Sequence, residues 1–143
     1  MGGNIKNLGI VSASLAGLEF DLLSPYSGEP LGSKFKILGY DAPEVIRAGR
    51  DYDKVIAEKD KKDIDIEVAF IERRNTLALA ALVDWNDFAF DDSAGDEDDI
   101  PPTPFSKELA KRILFDPEFV WMVDQIERKG RNRANFTPKS KKS

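Results

Sequence analysis

Two residue types are missing from this chain altogether. Its 143 residues include no histidine and no cysteine. That excludes an imidazole general base, a thiol nucleophile, a thiolate or imidazole metal site and any disulfide framework. Catalysis, if present, would have to run on carboxylates, lysine, hydroxyls or a hard cation. Long apolar runs are missing too, and nothing approaches the roughly 20 apolar residues of a membrane span. The opening MGGNIKNLGIVSASLAGLEF is only mildly apolar and runs into Glu19 and Asp21, so it reads as mature chain rather than as a leader. Lys6 occupies the position where a myristoylation signal needs Ser or Thr. Neither phosphate-cradling glycine pattern, GxxxxGK[ST] or GxGxxG, occurs.

What is present is charge. One third of the residues are Asp, Glu, Lys or Arg, against 41% hydrophobic, which suits one charge-rich domain with a modest core. The net charge of −5 conceals an asymmetry. From Arg128 onward there are seven basic residues and no acidic one, leaving 14 basic against 26 acidic in the remainder. A basic end on an acidic body invites a nucleic-acid reading, but RNRANF, with one aromatic, is too weak a patch for it. A solvated, flexible tail over residues 131–143 is the plainer expectation.

Periodicity gives the organisation. Residues 1–17, rich in Gly, Asn and Ser, are expected to form a flexible arm. LEFDLL alternates Leu18, Phe20 and Leu22 with polar neighbours, and KFKILGY places Phe35 and Ile37 on one side. These predict two short strands and a hairpin around SPYSGEPLGS. Asp41, two residues before Pro43, is expected to cap a helix with Val45, Ala48, Tyr52, Val55 and Ile56 on one face. Lys59 to Asp65 is a charged helix end or overhang. A second helix is expected from about Asp65 to Val83, with Ile64, Val68, Ile71, Ala78 and Leu82 as its stripe. IPPTPF breaks helix. Ser106 caps a short helix with Leu109, Ala110, Ile113 and Leu114 inward. Asp116-Pro117-Glu118 opens a last helix carrying Phe119, Val120, Val123 and Ile126, which Gly130 should end as a left-handed cap. The expected fold is therefore mainly α with a small N-terminal β-hairpin (α+β). Four or so helices pack in one domain over residues 18–130, interrupted by an acidic loop at 91–104.

That loop contains DDSAGDEDD. Counted from Asp91, the glycine falls at position five and the twelfth residue is Pro102, so the calcium-loop spacing fails. Carboxylate pairs such as Asp51/Asp53 and Asp63/Asp65 sit among lysines, where nothing would split their pKa values for acid–base work. No cofactor and no metal are expected, and the chain is not read as an enzyme. The candidate binding residues are apolar: Leu77, Leu82, Trp85, Phe119, Trp121 and Val123, proposed as an interface face or its support.

The order of the pieces resembles the tail assembly chaperone family of long-tailed bacteriophages, whose members are also described as minor tail proteins. LLSPYSGEPLG followed by KFKILGYDAPE is similar to the family's opening loop. LALAALVDWNDF resembles its helix ending in tryptophan, PFSKELAKRILFDPEFVWMVDQI its later helices, and RANF its close. Together these span residues 22–136. Two departures are the acidic insertion between Trp85 and Pro104, and Leu109 where Asn is common. The resemblance implies a helical, non-enzymatic assembly factor. Such a factor binds the phage tape measure protein, keeps it soluble, helps recruit major tail tube subunits and is absent from the mature virion. It also implies a host-cytoplasmic location and makes the acidic run a turn between helical halves. A second copy of the chain is a further candidate partner; a membrane and nucleic acid are not. A tube or other structural tail component retained in the virion is the alternative, disfavoured because tube proteins are strand-rich.

Overall fold

The computed structural model describes residues 5–91 and 100–136. The alternation in LEFDLL produces strand β1 (Leu18–Leu23), which pairs antiparallel with β2 (Pro30–Ile37). The intervening turn is short. Ser24 N–H donates to Glu29 O at 2.8 Å, and the Ser24 hydroxyl accepts from the backbone of Tyr26 and Ser27. Gly28, with φ +75°, supplies the left-handed residue that the turn requires.

Helix α2 (Pro43–Ala57) and helix α3 (Ile66–Ala81) follow, joined through a 3-10 turn at Lys61–Asp63. Asp65 caps α3 by accepting from the backbone of Glu67 and Val68. The helix stops at Ala81 rather than continuing to Val83. Leu82–Asn86 is instead a third strand, β3, giving a sheet in the order β1-β2-β3. A register shift between Lys36 and Ile37 leaves Val83 as an extra residue, so Leu82 and Trp85 both point into the core while Asp84 and Asn86 face out. The register aligns Phe20, Phe35 and Trp85 in one row across the sheet, with ring centroids 6.2 and 6.0 Å apart. Glu19, Lys36 and Asp84 form the matching row on the exposed face.

Helices α4 (Lys107–Leu114) and α5 (Val120–Arg131) close the core. The hydroxyl of Ser106 caps α4, and the carboxylate of Asp116 caps the 3-10 turn before α5. The chain is thus a mixed α+β domain, mainly helical with a small antiparallel sheet, as the pattern of periods implied. Leu22, Phe35, Ile37, Val45, Leu82, Leu114, Val123 and Ile126 are the largest fully buried side chains among the described residues. Gln125 of α5 finishes the edge of β1: its amide accepts from Leu23 N–H at 2.9 Å and donates to Leu23 O at 2.8 Å.

Four further expectations change. Residues Ile10–Ala16, inside the expected flexible arm, form a helix, α1, with Ala13 and Ser14 buried. Asp41 does not cap α2; Ala42 holds that position, and the Asp41 carboxylate meets the guanidinium of Arg133 at 2.7 and 3.0 Å. Two charge-assisted bonds outweigh one cap bond. Gly130 does not end α5 in a left-handed conformation; it lies inside the helix, where the ring of Tyr40 packs against it. Finally, residues 131–136, placed in the expected flexible tail, are structured. Arg133–Asn135 form a 3-10 turn and Phe136 is buried, because an apolar ring and the Asp41–Arg133 pair tie this stretch down.

Most of the acidic run, residues 92–99, lies outside the described residues, as do residues 137–143. The chain on either side of the run is pinned together. Thr103 N–H donates to Phe88 O at 2.7 Å, its hydroxyl bonds the backbone of Phe90, and the Trp85 indole N–H donates to Thr103 O at 2.7 Å.

Candidate partner-binding surface

The apolar residues singled out from sequence are mostly core. Leu77, Leu82, Trp85 and Val123 are buried, so they support a surface rather than form one. Phe119 and Trp121 are half-buried and pack against the core, Phe119 with its ring edge-on to Phe90 at 5.5 Å. Their stripes pointed inward because a buried face and an interface face carry the same residues.

An exposed apolar surface lies elsewhere, along the outer half of the α2–α3 pair. Both helices are longer than α4 or α5, and α2 packs chiefly on α3. Near the core the two approach closely at Gly49. A Cβ there would lie 2.9 Å from Arg73 Nη2 and 3.2 Å from Leu77 Cδ2. Further out they frame a groove with Ile56 and Ala57 on one wall and Ile66, Ala69 and Phe70 on the other. Ile66 is 80% exposed and Phe70 69%. Val55, Val68 and Ile71 are also exposed on the same two helices. Exposed apolar residues at this density mark an interaction surface more often than a solvated one.

Polar contacts brace the groove's inner end. Arg73 donates to both oxygens of Asp53, at 2.8 and 3.1 Å, and this bonding holds the Asp53 carboxyl below its usual range. The Tyr52 hydroxyl donates to Glu72 at 2.8 Å; burial, and then that bond, push its pKa up to about 12. Arg74, one residue on, pairs instead with Asp124 and Glu127 of α5, tying the root of the arm to the body. These contacts fix the geometry of the groove's inner end. Among the described residues no cluster of three or more metal-ligating side chains exists, and no helix is long and apolar enough to cross a membrane.

Sequence reading named Tyr52, Val55, Ile56, Val68 and Ile71 as parts of two inward stripes. The signal that they emerge from the core was length. Helices of 15 and 16 residues around a charged turn outrun a domain whose other helices have 7, 8 and 12. No protein-family model matches the sequence, and no curated protein or solved structure matches it either.

Proposed function

We propose that this chain is a non-enzymatic assembly chaperone for a long phage tail. It holds apolar-faced helices of the tape measure protein in the α2–α3 groove, keeps them soluble and helps recruit tail tube subunits. It works in the host cytoplasm and is absent from the mature virion. The observation that carries this reading is the exposed apolar groove built by Ile56, Ile66 and Phe70 on an arm braced by Asp53 and Arg73. An amphipathic helix laid in such a groove buries its apolar face without any chemistry being asked of the host protein. The motif order from residue 22 to 136 supplies the biological setting, and the acidic body disfavours nonspecific association through like-charge repulsion.

The test is co-expression with the long, helix-rich product encoded just downstream in the source genome. The expected result is that this product is soluble and co-purifies only when the chain is present. If it is equally soluble alone and nothing co-purifies, the reading fails. Detecting the chain in purified particles by mass spectrometry would then favour a structural tail component.

A further inference from the structure

Arg73 lines two cavities at once. On one side is the outer groove, a space of about 350 Å³ framed by Ile56, Ile66 and Phe70. On the other is a cleft of about 210 Å³ bounded by Tyr40, Ile46, Leu77 and Arg131. Both lie against one face of α2, on which Ile46, Gly49, Asp53 and Ile56 recur at three- and four-residue spacing. The Arg73 side chain crosses from α3 onto that face between them. It has room because residue 49 is glycine: a Cβ there would lie 2.9 Å from Nη2, so the guanidinium rests against bare backbone. One turn further out it holds Asp53 through both carboxylate oxygens. Without that side chain the two spaces would run on as one groove from Ile46 to Ile56, about 15 Å at 1.5 Å per residue. The groove cannot lengthen in the other direction, where the charged turn at residues 58–65 bounds it.

Two neighbouring arginines are held very differently. The Arg74 side chain is 23% exposed and pairs with both Asp124 and Glu127. The Arg73 side chain is 40% exposed, and the Asp53 carboxylate that it holds is 59% exposed. An exposed pair shifts an equilibrium by about fivefold at most, so Arg73 can leave Asp53 at little cost while Arg74 stays in place. A guanidinium covered by a bound helix still needs an anion, because an unpaired charge out of water is heavily penalised. The cleft presents a second guanidinium beside it, that of Arg131.

We propose that Arg73 is a movable bar across one longer groove, and that the partner helix which lifts it sets apolar residues over the outer half and a carboxylate over the inner half, between Arg73 and Arg131. This deepens the reading of the groove as a helix-binding site and rests on it. The partner's carboxylate takes the place of Asp53, which returns to water. A helix with an apolar stripe alone stops at the bar. One with an acidic residue a turn further in engages the whole face from Ile56 to Ile46. The bar thus selects among amphipathic helices by the charge at one end, since a helix without the carboxylate leaves the displaced guanidinium unpaired.

The experiment is fluorescence anisotropy on the purified full chain with stapled helical peptides, at about 0.3 M salt to screen net charge. A short peptide of two turns carries leucines at i and i+4. A long one adds a turn at each end, each bearing a glutamate on the leucine face, so that one reaches the cleft in either direction. Its glutamine version is the control. The parent should bind the glutamate peptide about fivefold more tightly than the glutamine one, and Arg73→Ala should erase most of that preference. Asp53→Asn frees the bar without removing it. It should tighten the glutamate peptide by about two- to fivefold and leave the short one unchanged, whereas Asp51→Asn, the same change of charge two residues away, should tighten neither. A parent without the glutamate preference overturns the proposal. So does a preference that survives Arg73→Ala, or an Asp53→Asn effect equal for both lengths or matched by Asp51→Asn. In each of those cases the short peptide still binds, and the groove reading stands. If the short peptide fails to bind at all, that reading falls and the bar falls with it.

Discussion

The ring of Tyr40 fills the space that a side chain at position 130 would need. A Cβ built on Gly130 lies 2.4 Å from Tyr40 Cδ1 and 2.6 Å from Cε1, and the backbone reinforces the contact, with Tyr40 N–H donating to Gly130 O at 2.9 Å. Arg131 also lies over the ring, its guanidinium 5.0 Å from the centroid. This one relationship docks the β2–α2 connection onto α5. Gly130→Ala should therefore destabilise the domain by about 1–3 kcal/mol, the range for overpacking a tight contact, even though alanine is the better helix former. Urea unfolding checks it; a neutral or stabilising result would show that Tyr40 can shift freely.

The Tyr40 hydroxyl is buried with no hydrogen-bond partner among the described residues, and burial raises its pKa. Removing an unsatisfied polar atom while keeping the ring costs nothing in contacts. Tyr40→Phe should be neutral or stabilising by up to about 1 kcal/mol. A loss of stability on thermal melting would point to a bridging water at this hydroxyl.

Asp41 and Asp53 give an acid limb of known sign. Hydrogen bonds from Arg133 and Arg73 hold the two carboxyls below their ordinary values when folded. Each pair's contribution is therefore complete above the unfolded carboxyl pKa of about 3.9 and is lost as pH falls through the lower folded value. The pairs are partly exposed, so the contribution is modest. Asp41→Asn/Asp53→Asn should be less stable than the parent at neutral pH and converge with it in acid. Parallel stability curves down to about pH 2 would contradict this.

Lys107 sits at the start of α4 and donates to the carbonyls of Leu79 and Leu82, where α3 gives way to β3. A cation at a helix C-terminus satisfies carbonyls that have no intrahelical donor. Lys107→Met keeps most of the aliphatic bulk and removes the cap. It should cost about 1–2 kcal/mol, read from the denaturation midpoint.

Groove and core should separate genetically. Ile66→Glu/Phe70→Glu should abolish partner solubilisation on co-expression while shifting stability by no more than about 0.5 kcal/mol, as surface changes do. Val11→Glu/Leu15→Glu should leave solubilisation intact. Trp85→Ala behaves differently: this buried side chain packs on Phe35, Phe88 and Phe105, and its loss should cost about 3–5 kcal/mol and remove every activity together. Circular dichroism beside the co-expression assay distinguishes the two kinds of loss.

Local chemistry by itself determined much of this protein. Period two in LEFDLL and KFKI set the hairpin, and three- and four-residue spacing set α2, α3, α4 and α5. Ser106 and Asp116 cap where their positions say they should, because a cap is satisfied within three residues of itself. The missing histidine and cysteine settled which chemistry is absent. Tertiary structure alone decided the rest. Leu82–Asn86 reads as the end of an apolar helix until β2 offers it a hydrogen-bonding edge. Asp41 reads as a cap until Arg133 arrives from 92 residues away. Val68 and Ile71 carry the same stripe as Ala78 and Leu82, yet one half is bare and the other buried. Whether an apolar residue is covered depends on where other elements end, and no residue's own spacing encodes that.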